Sequence, residues 1–124
     1  MRFDVVTIFP EMFGALRVSQ IWKRAEESGR IELGVHDLRD YAEDRHRTVD
    51  DTPYGGGAGM IMMAPCIVEA VEAVRRAANA PVVLTTPQGE SLDEALTLAL
   101  LAEAQAADEL ILVCGHYKGV DERA

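Results

Sequence analysis

Short apolar segments alternate with longer helix-like stretches along this chain, and that alternation limits the possible folds more than any other feature. Residues 3–8, 31–35, 82–85 and 110–114 are rich in Val, Ile and Leu and are typical of strands. Helical patterns lie between them, and the first runs from Pro10 to a stop at Gly29. Strands that alternate with helices predict an α/β fold with a mostly parallel sheet and helices on both faces.

Length and composition fit one soluble domain over residues 1–124, of which 48% are hydrophobic. No apolar run approaches the roughly 18 to 20 residues that span a bilayer, so we expect a cytoplasmic protein without membrane contact. The net charge of −9 argues against a uniformly basic surface for nucleic acid but allows a local one, for which the dense cationic cluster is Arg39, Arg45, His46 and Arg47. Cys66 and Cys114 lack metal-ligand spacing, so we expect buried free thiols and no metal site.

Residues 45–60 concentrate cations, adjacent carboxylates and glycines. They belong to a predicted polar loop over residues 37–59, and connections longer than about 12 to 15 residues tend to be functional. Because runs of glycine are entropically costly, we expect a ligand to approach this backbone closely. Asp50 and Asp51 could accept paired hydrogen bonds from a base such as guanine, or could form an Asx turn before a proline. His46 is informative only because arginines flank it.

Two turn-rich segments, residues 86–89 and 115–119, follow predicted strands at their carboxyl ends. In a parallel sheet both lie at one edge, where ligands of open α/β sheets bind. The alternative is that Pro and Gly merely turn the chain there. The glycines match neither G-x-G-x-x-G nor a P-loop, which disfavours a dehydrogenase or a P-loop NTPase. Ser91 and Glu94 match a capping box, which predicts a helix start at Ser91 and a helix that reaches about Ala102.

Four separated motifs resemble the bacterial tRNA (guanine-N1)-methyltransferase family, TrmD. They are IFPEMF at residues 8–13, the segment at 44–60, TPQG at 86–89, and LVCGHY at 112–117 with GVDER at 119–123. The motifs extend over essentially the whole chain in the family's order. The resemblance implies a SPOUT-type methyltransferase domain with a trefoil knot, and it leaves open whether the knot is complete in this chain.

By this resemblance, S-adenosylmethionine donates a methyl group to N1 of guanosine 37 of tRNA, just 3′ of the anticodon. Family members are homodimers whose active site forms between subunits, and Mg²⁺ is a candidate metal of the full enzyme. The cofactor would be held by Leu84, Thr85, Thr86, Pro87, Gly89, Gly115, Tyr117 and Gly119. The tRNA would be contacted by Arg45, His46, Arg47, Asp50, Tyr54, Gly55, Gly56 and Gly57.

Guanine N1 is a weak nucleophile until its proton leaves, so the reaction needs a base near N1 and donors near O6. In the family these groups lie in a segment beyond Asp121–Arg123 that this chain lacks, so its catalytic residues are unknown; Asp50 is the candidate for guanine contact. We expect the C-terminal tRNA-binding domain to be absent as well and the chain alone to be inactive. Lys118 stands where the family usually has Glu. The alternatives are a non-catalytic S-adenosylmethionine- or RNA-binding domain and, less favoured, a phosphate-binding α/β domain.

Overall fold

A computed structural model of the chain describes residues 1–41, 50–51, 61–62, 64–114 and 119–120. The strands are β1 (Arg2–Thr7), β2 (Glu32–Asp37), β3 (Asp50–Asp51), β4 (Ile61–Met62), β5 (Val82–Thr85), β6 (Glu109–Cys114) and β7 (Gly119–Val120). The helices are α1 (Gly14–Arg17), α2 (Gln20–Glu27), α3 (Ala64–Val74) and α4 (Glu94–Ala107), with 3₁₀ turns at Pro10–Phe13 and Leu38–Tyr41.

The main sheet contains four parallel strands in the order β2-β1-β6-β5. Its core lies on one face, where Val6, Ile111 and Val113 are almost completely buried. Helix α3 packs against this face through Ile67 and Val74, and Leu38 completes the same cluster. The apolar, β-branched residues of β1, β5 and β6 therefore form strands, as their composition predicts.

The opposite face of the sheet carries Phe3, whose ring lies next to Trp22 of α2 with centroids 6.0 Å apart. Helix α4 lies over the same face and buries Ala104 completely. Helices thus cover both faces of a parallel sheet, and the predicted fold class is confirmed.

The first predicted helix is interrupted. After the 3₁₀ turn and α1, Ser19 adopts an extended backbone with φ −64° and ψ 133°, which a continuous helix cannot contain. Its carbonyl then accepts the Lys23 N–H at 2.9 Å, and α2 begins. The predicted stop is confirmed because Gly29 follows α2 with φ +76°, a left-handed conformation that glycine adopts readily.

The predicted start of α4 is wrong by two residues. Asp93, not Ser91, is the N-cap, and its carboxylate accepts the Leu96 N–H at 2.8 Å. A carboxylate at this position pairs with an otherwise unbonded helix N–H and also interacts favourably with the helix dipole. The helix continues beyond Ala102 and ends at Asp108, which has the left-handed φ of 57°.

The predicted polar loop is also partly structured. Strand β2 continues through His36 and Asp37, and the 3₁₀ turn at Leu38–Tyr41 follows it directly. A second, three-stranded sheet has the order β3-β4-β7, in which β3 pairs antiparallel with β4 and β4 pairs parallel with β7. The polar residues His36 and Asp37 extend β2 because they have partners on β1. The His36 ring contacts the carboxylate of Asp4, and Asp37 pairs with Thr7.

Asp4 is the centre of a charged cluster on the β1–β2 edge of the sheet and is only 1% exposed. Its carboxylate accepts hydrogen bonds from Arg2 Nε at 3.1 and 3.2 Å, and it lies 2.8 Å from His36 Nε2. The hydrogen bond from Arg2 to Asp4 raises the pKa of the guanidinium above its ordinary value. Gly34 lies between these side chains, and its lack of a Cβ leaves the room in which they meet.

Candidate functional site

The parallel strands of the main sheet end at a common edge, here called the carboxyl edge. Thr7 pairs with Asp37 at the end of β1 and β2, and Thr85 pairs with Cys114 at the end of β5 and β6. The strands that precede the two turn-rich segments therefore end at the same edge, as the sequence predicts, and they are neighbours in the sheet. Of the second segment only Gly119 is described; Gly115 and Tyr117 lie outside the described residues.

The segment after β5 forms a tight turn. The Gly89 N–H donates to the Thr86 carbonyl at 3.2 Å, and the Thr86 hydroxyl donates to Gln88 Oε1 at 2.6 Å. A Cβ added at Gly89 would lie 3.3 Å from Thr86 Cγ2 and 3.4 Å from the Thr86 carbonyl oxygen. Thr85 joins this turn to the neighbouring strand, because its hydroxyl donates to the Val113 carbonyl at 3.3 Å. The turn is thus fixed by its own hydrogen bonds and leaves little room for a larger residue.

A cavity of about 780 Å³ opens beside this turn, between α4 and the sheet. Of the residues predicted to hold the cofactor, Leu84, Thr85, Thr86 and Gly89 line it. Pro87 belongs to the same turn but is exposed and lies outside the cavity lining. Most of the remaining wall is apolar and comes from Phe3, Leu92, Leu96, Leu100, Leu110 and Leu112.

The size and lining of this cavity fit the S-adenosylmethionine that the resemblance implies. Small-molecule sites typically enclose about 300 to 1,000 Å³ and combine apolar walls with a few polar groups. Here leucines offer apolar contact to an adenine ring, and Thr85 and Thr86 bring hydroxyl and backbone groups to the carboxyl edge. The cavity can therefore hold an adenosyl ligand by packing at one end and hydrogen bonding at the other.

The three-stranded sheet brings together two predicted parts of the site. Asp50, predicted to contact tRNA, pairs with Met62 of β4, and Met62 pairs on its other side with Val120. Gly119, predicted to hold the cofactor, pairs with Ile61. The strand that carries Asp50 and the strand that carries Gly119 thus flank β4.

The other residues predicted to contact tRNA lie outside the described residues: Arg45, His46, Arg47, Tyr54, Gly55, Gly56 and Gly57. Lys118 and the motif at residues 121–123 also lie there. Their predicted roles remain predictions.

One feature of the carboxyl edge is not apparent from the motifs. The Arg39 guanidinium donates a hydrogen bond to the Ile8 carbonyl, just after β1, and the Arg39 backbone N–H donates to Asp37 Oδ1 at 2.9 Å. Just beyond β1, the Phe9 N–H donates to the Thr7 hydroxyl at 3.1 Å. The sequence signal for Arg39 is its membership of the cationic cluster with Arg45, His46 and Arg47, together with its position two residues after Asp37.

Cysteine and acidic residues give no metal site in the described part of the chain. No group of three or more His, Cys, Asp or Glu side chains lies close enough there to hold a metal ion. Cys66 is buried, as predicted, whereas Cys114 is only partly buried at the end of β6. Burial raises the pKa of the Cys114 thiol above its ordinary value. In the same described residues, no helix is long and apolar enough to cross a membrane.

The family model described as "tRNA (Guanine-1)-methyltransferase TrmD" matches residues 1–124. A curated tRNA (guanine-N(1)-)-methyltransferase from Chloroflexus aggregans is 50% identical over 125 residues, which cover 99% of this chain and 48% of that protein. The protein of the same name from Moorella thermoacetica is 48% identical over 126 residues, with 99% and 49% coverage.

Among solved structures, the tRNA (m1G37) methyltransferase from Aquifex aeolicus superimposes with a TM-score of 0.81 at 36% identity. The match covers 99% of this chain and 54% of that one. The chain therefore spans about half the length of the relatives it matches. Because the family model matches every residue, the chain belongs to the tRNA (guanine-1)-methyltransferase TrmD family.

Proposed function

We propose that this chain is the cofactor-binding and base-presenting part of a tRNA (guanine-N1)-methyltransferase. The whole enzyme would transfer a methyl group from S-adenosylmethionine to N1 of guanosine 37. The observation that carries the proposal is the fixed turn and cavity at the carboxyl edge, in a chain matched by this family throughout. Position 37 is supported by the name of the Aquifex aeolicus relative.

On the cofactor side, Thr85, Thr86 and Gly89 would hold the ligand at the turn, while Leu84 and Leu112 contact its apolar part. S-adenosylmethionine supplies an electrophilic methyl group when bound. The residues of the cavity would position the ligand, and such positioning supplies much of the rate of a transfer reaction. Gly115, Tyr117 and Gly119 would complete this side.

On the tRNA side, Arg45, His46 and Arg47 would contact phosphates, since cationic side chains supply most of the affinity for nucleic acid. The Asp50 carboxylate can accept parallel hydrogen bonds from adjacent N–H groups of a guanine edge. Its place on β3, paired with β4, gives it a fixed backbone near the strand of Gly119. Tyr54 and Gly55–Gly57 would let the base and its backbone come close.

Three further features of the whole enzyme rest on the resemblance. We infer a homodimer whose active site lies between subunits, which light scattering of the full-length protein would check. We place the enzyme in the cytoplasm with its tRNA. Mg²⁺ stays a prediction for the full enzyme.

Methylation by the full-length protein tests the proposal. With radiolabelled S-adenosylmethionine, a tRNA with guanosine 37 should become labelled, and the same tRNA with adenosine 37 should not. Absence of product, with intact cofactor binding in calorimetry, would instead favour a non-catalytic binding domain.

The cofactor cavity can be tested separately with Gly89→Val. Its branched side chain would press on Thr86 at a position that is already close, and it should weaken S-adenosylmethionine binding at least about tenfold by displacing the turn. Gly14→Val is the matched control, because a Cβ at Gly14 meets nothing within 4 Å. Equal S-adenosylmethionine binding by both variants would show that the turn is not part of the cofactor site.

The base that removes the N1 proton would lie beyond Ala124, as in the family. We therefore expect the 124-residue chain to give no single-turnover methylation of tRNA, and a version extended to the length of its relatives to give it. Robust product from the short chain would show that the base lies within these residues.

A further inference from the structure

We propose that Arg39 is a positioning residue of this enzyme: it joins the carboxyl ends of β1 and β2 and thereby sets where the chain departs toward the residues that contact tRNA. This inference rests on the proposed function. It concerns a residue that lies outside both predicted contact sets.

Arg39 makes its contacts at the point where two strands stop. Strand β1 ends at Thr7 and β2 ends at Asp37, and these two residues are partners in the sheet. The Arg39 guanidinium donates to the carbonyl of Ile8, one residue beyond β1. Its side chain therefore bridges from the end of β2 to the end of β1.

Asp37 holds the other side of Arg39. Its carboxylate accepts the Arg39 backbone N–H at 2.9 Å and lies 3.9 Å from Arg39 Nη1. Asp37 thus restrains both the backbone and the side chain of Arg39. The side chains of Arg39 and Asp37 are 35% and 26% exposed, so water screens their charges only in part.

The residues around Arg39 fix the position of the turn itself. Leu38 is completely buried, and Tyr41 packs against the same core cluster. The turn at Leu38–Tyr41 therefore has a fixed place at the carboxyl edge. Residues 42–49 begin directly after it, and the chain is next described at β3, where Asp50 pairs with β4.

Arginine suits this role better than lysine. Its guanidinium is planar and presents several N–H groups in fixed directions, so one side chain can donate to a carbonyl while facing a carboxylate. A lysine ammonium keeps the charge but has no fixed plane. The geometry therefore predicts that charge alone will not replace Arg39.

The test uses steady-state methylation by the full-length enzyme with the concentrations of tRNA and S-adenosylmethionine varied separately. Arg39→Ala should raise KM for tRNA about tenfold, because the turn at Leu38–Tyr41 would lose its bond to the end of β1, and substrate binding depends on exact placement of the chain. The KM for S-adenosylmethionine should change less than about twofold, since the cavity lies at β5 and β6. Arg39→Lys should resemble Arg39→Ala.

Arg75→Ala is the matched control. Arg75 also donates from its guanidinium to a backbone carbonyl, that of Ala80 at 3.1 Å, but just before β5 at the opposite edge of the sheet. The Arg75→Ala substitution removes the same kind of hydrogen bond but leaves the carboxyl edge unchanged. Both KM values should therefore stay at the wild-type level.

Asp37→Asn is the second variant, and it keeps the proposal testable if Arg39→Ala does not fold. It retains an oxygen acceptor for the Arg39 N–H but loses the charge, so it should raise KM for tRNA by about threefold, in the same direction. A wild-type KM for tRNA in Asp37→Asn would then count against the proposal.

Two results would overturn the inference while leaving the methyltransferase activity in place. The first is an Arg39→Ala variant that behaves like Arg75→Ala. The second is full rescue by Arg39→Lys together with a salt dependence of tRNA binding that, in Arg39→Ala, is shallower by about one phosphate contact; this would make Arg39 a direct contact to RNA. A wild-type enzyme that methylates no tRNA would overturn the proposed function and this inference together.

Discussion

Substitution of Gly34 by alanine gives a sharp test of the charged cluster between β1 and β2. An added Cβ would lie 2.5 Å from Asp4 Oδ1, closer still to Arg2 Nη2, and 3.0 Å from His36 Nε2. These distances are shorter than any normal contact of a methyl group, so the cluster must shift. Asp4 cannot move into solvent without leaving its position on a central strand.

The expected cost follows from two effects. Overpacking by one methyl group usually costs about 1–3 kcal/mol, and Arg2, which is 21% exposed, can swing outward to relieve part of the contact. That movement weakens the hydrogen bonds to Asp4, which is 1% exposed and costly to leave without a partner. We expect a total loss of about 2 kcal/mol, or a fall in Tm of about 6–10 °C at the heat-capacity and entropy values typical of a domain this size.

Differential scanning calorimetry of the full-length protein measures this change, with Gly14→Ala as the control. Gly14 has a helical backbone and an open Cβ position, so alanine there should leave Tm unchanged or raise it slightly. In an Arg2→Ala background, Gly34→Ala should cost less, because the nearest opposing atom is gone. Equal Tm values for Gly34→Ala and Gly14→Ala would refute the close approach seen at Gly34.

Three other tests concern the cap of α4, a buried carboxylate and a partly buried thiol. Asp93→Ala should lower stability by about 1 kcal/mol in thermal unfolding, whereas Ser91→Ala should have almost no effect. The reverse order would show that Ser91 is the N-cap, as the capping box predicts. Glu109 is 2% exposed and accepts the Arg76 N–H at 2.9 and 3.0 Å, so Glu109→Ala should cost about 1–3 kcal/mol in urea unfolding; an unchanged midpoint would contradict this. Burial raises the pKa of Cys114 and so favours the neutral thiol in the folded protein. The contribution of this thiol to stability is therefore complete below the ordinary thiol pKa and falls as pH rises above that value. Iodoacetamide should accordingly modify Cys114 more slowly in the folded than in the unfolded protein at pH 8.5, as peptide mass spectrometry can show; equal rates would be inconsistent with the burial.

Local composition is sufficient to predict β1, β5 and β6, because each is a short run of residues that favour a buried strand. It fails at the end of β2. His36 and Asp37 look like the start of a polar loop, yet the His36 backbone pairs with Val6 of β1 and its ring lies 2.8 Å from the Asp4 carboxylate. A hydrogen bond between residues so far apart in sequence leaves no periodic signal, and the same holds for the two-residue strands β3, β4 and β7.

For the candidate site, the motifs predict the turn after β5 and its position at the same edge of the sheet as the end of β6. They do not predict that β6 lies between β1 and β5, because strand order depends on long-range pairing. The sequence places Arg39 in the cationic cluster but does not predict its contact with β1, for a related reason. Its role at the carboxyl edge depends on the Ile8 carbonyl, and a backbone acceptor is invisible in a list of side chains.

The central place of β1 has a consequence for synthesis of the protein on the ribosome. Arg2 pairs with Glu32 on one side and with Glu109 on the other. At about 5–20 residues per second, roughly 5–20 s separate the emergence of β1 from that of β6. During this time one edge of an apolar strand has no partner, which makes it available to chaperones or to the same edge of a neighbouring nascent chain. Slower translation before β6 should therefore increase aggregation of this protein.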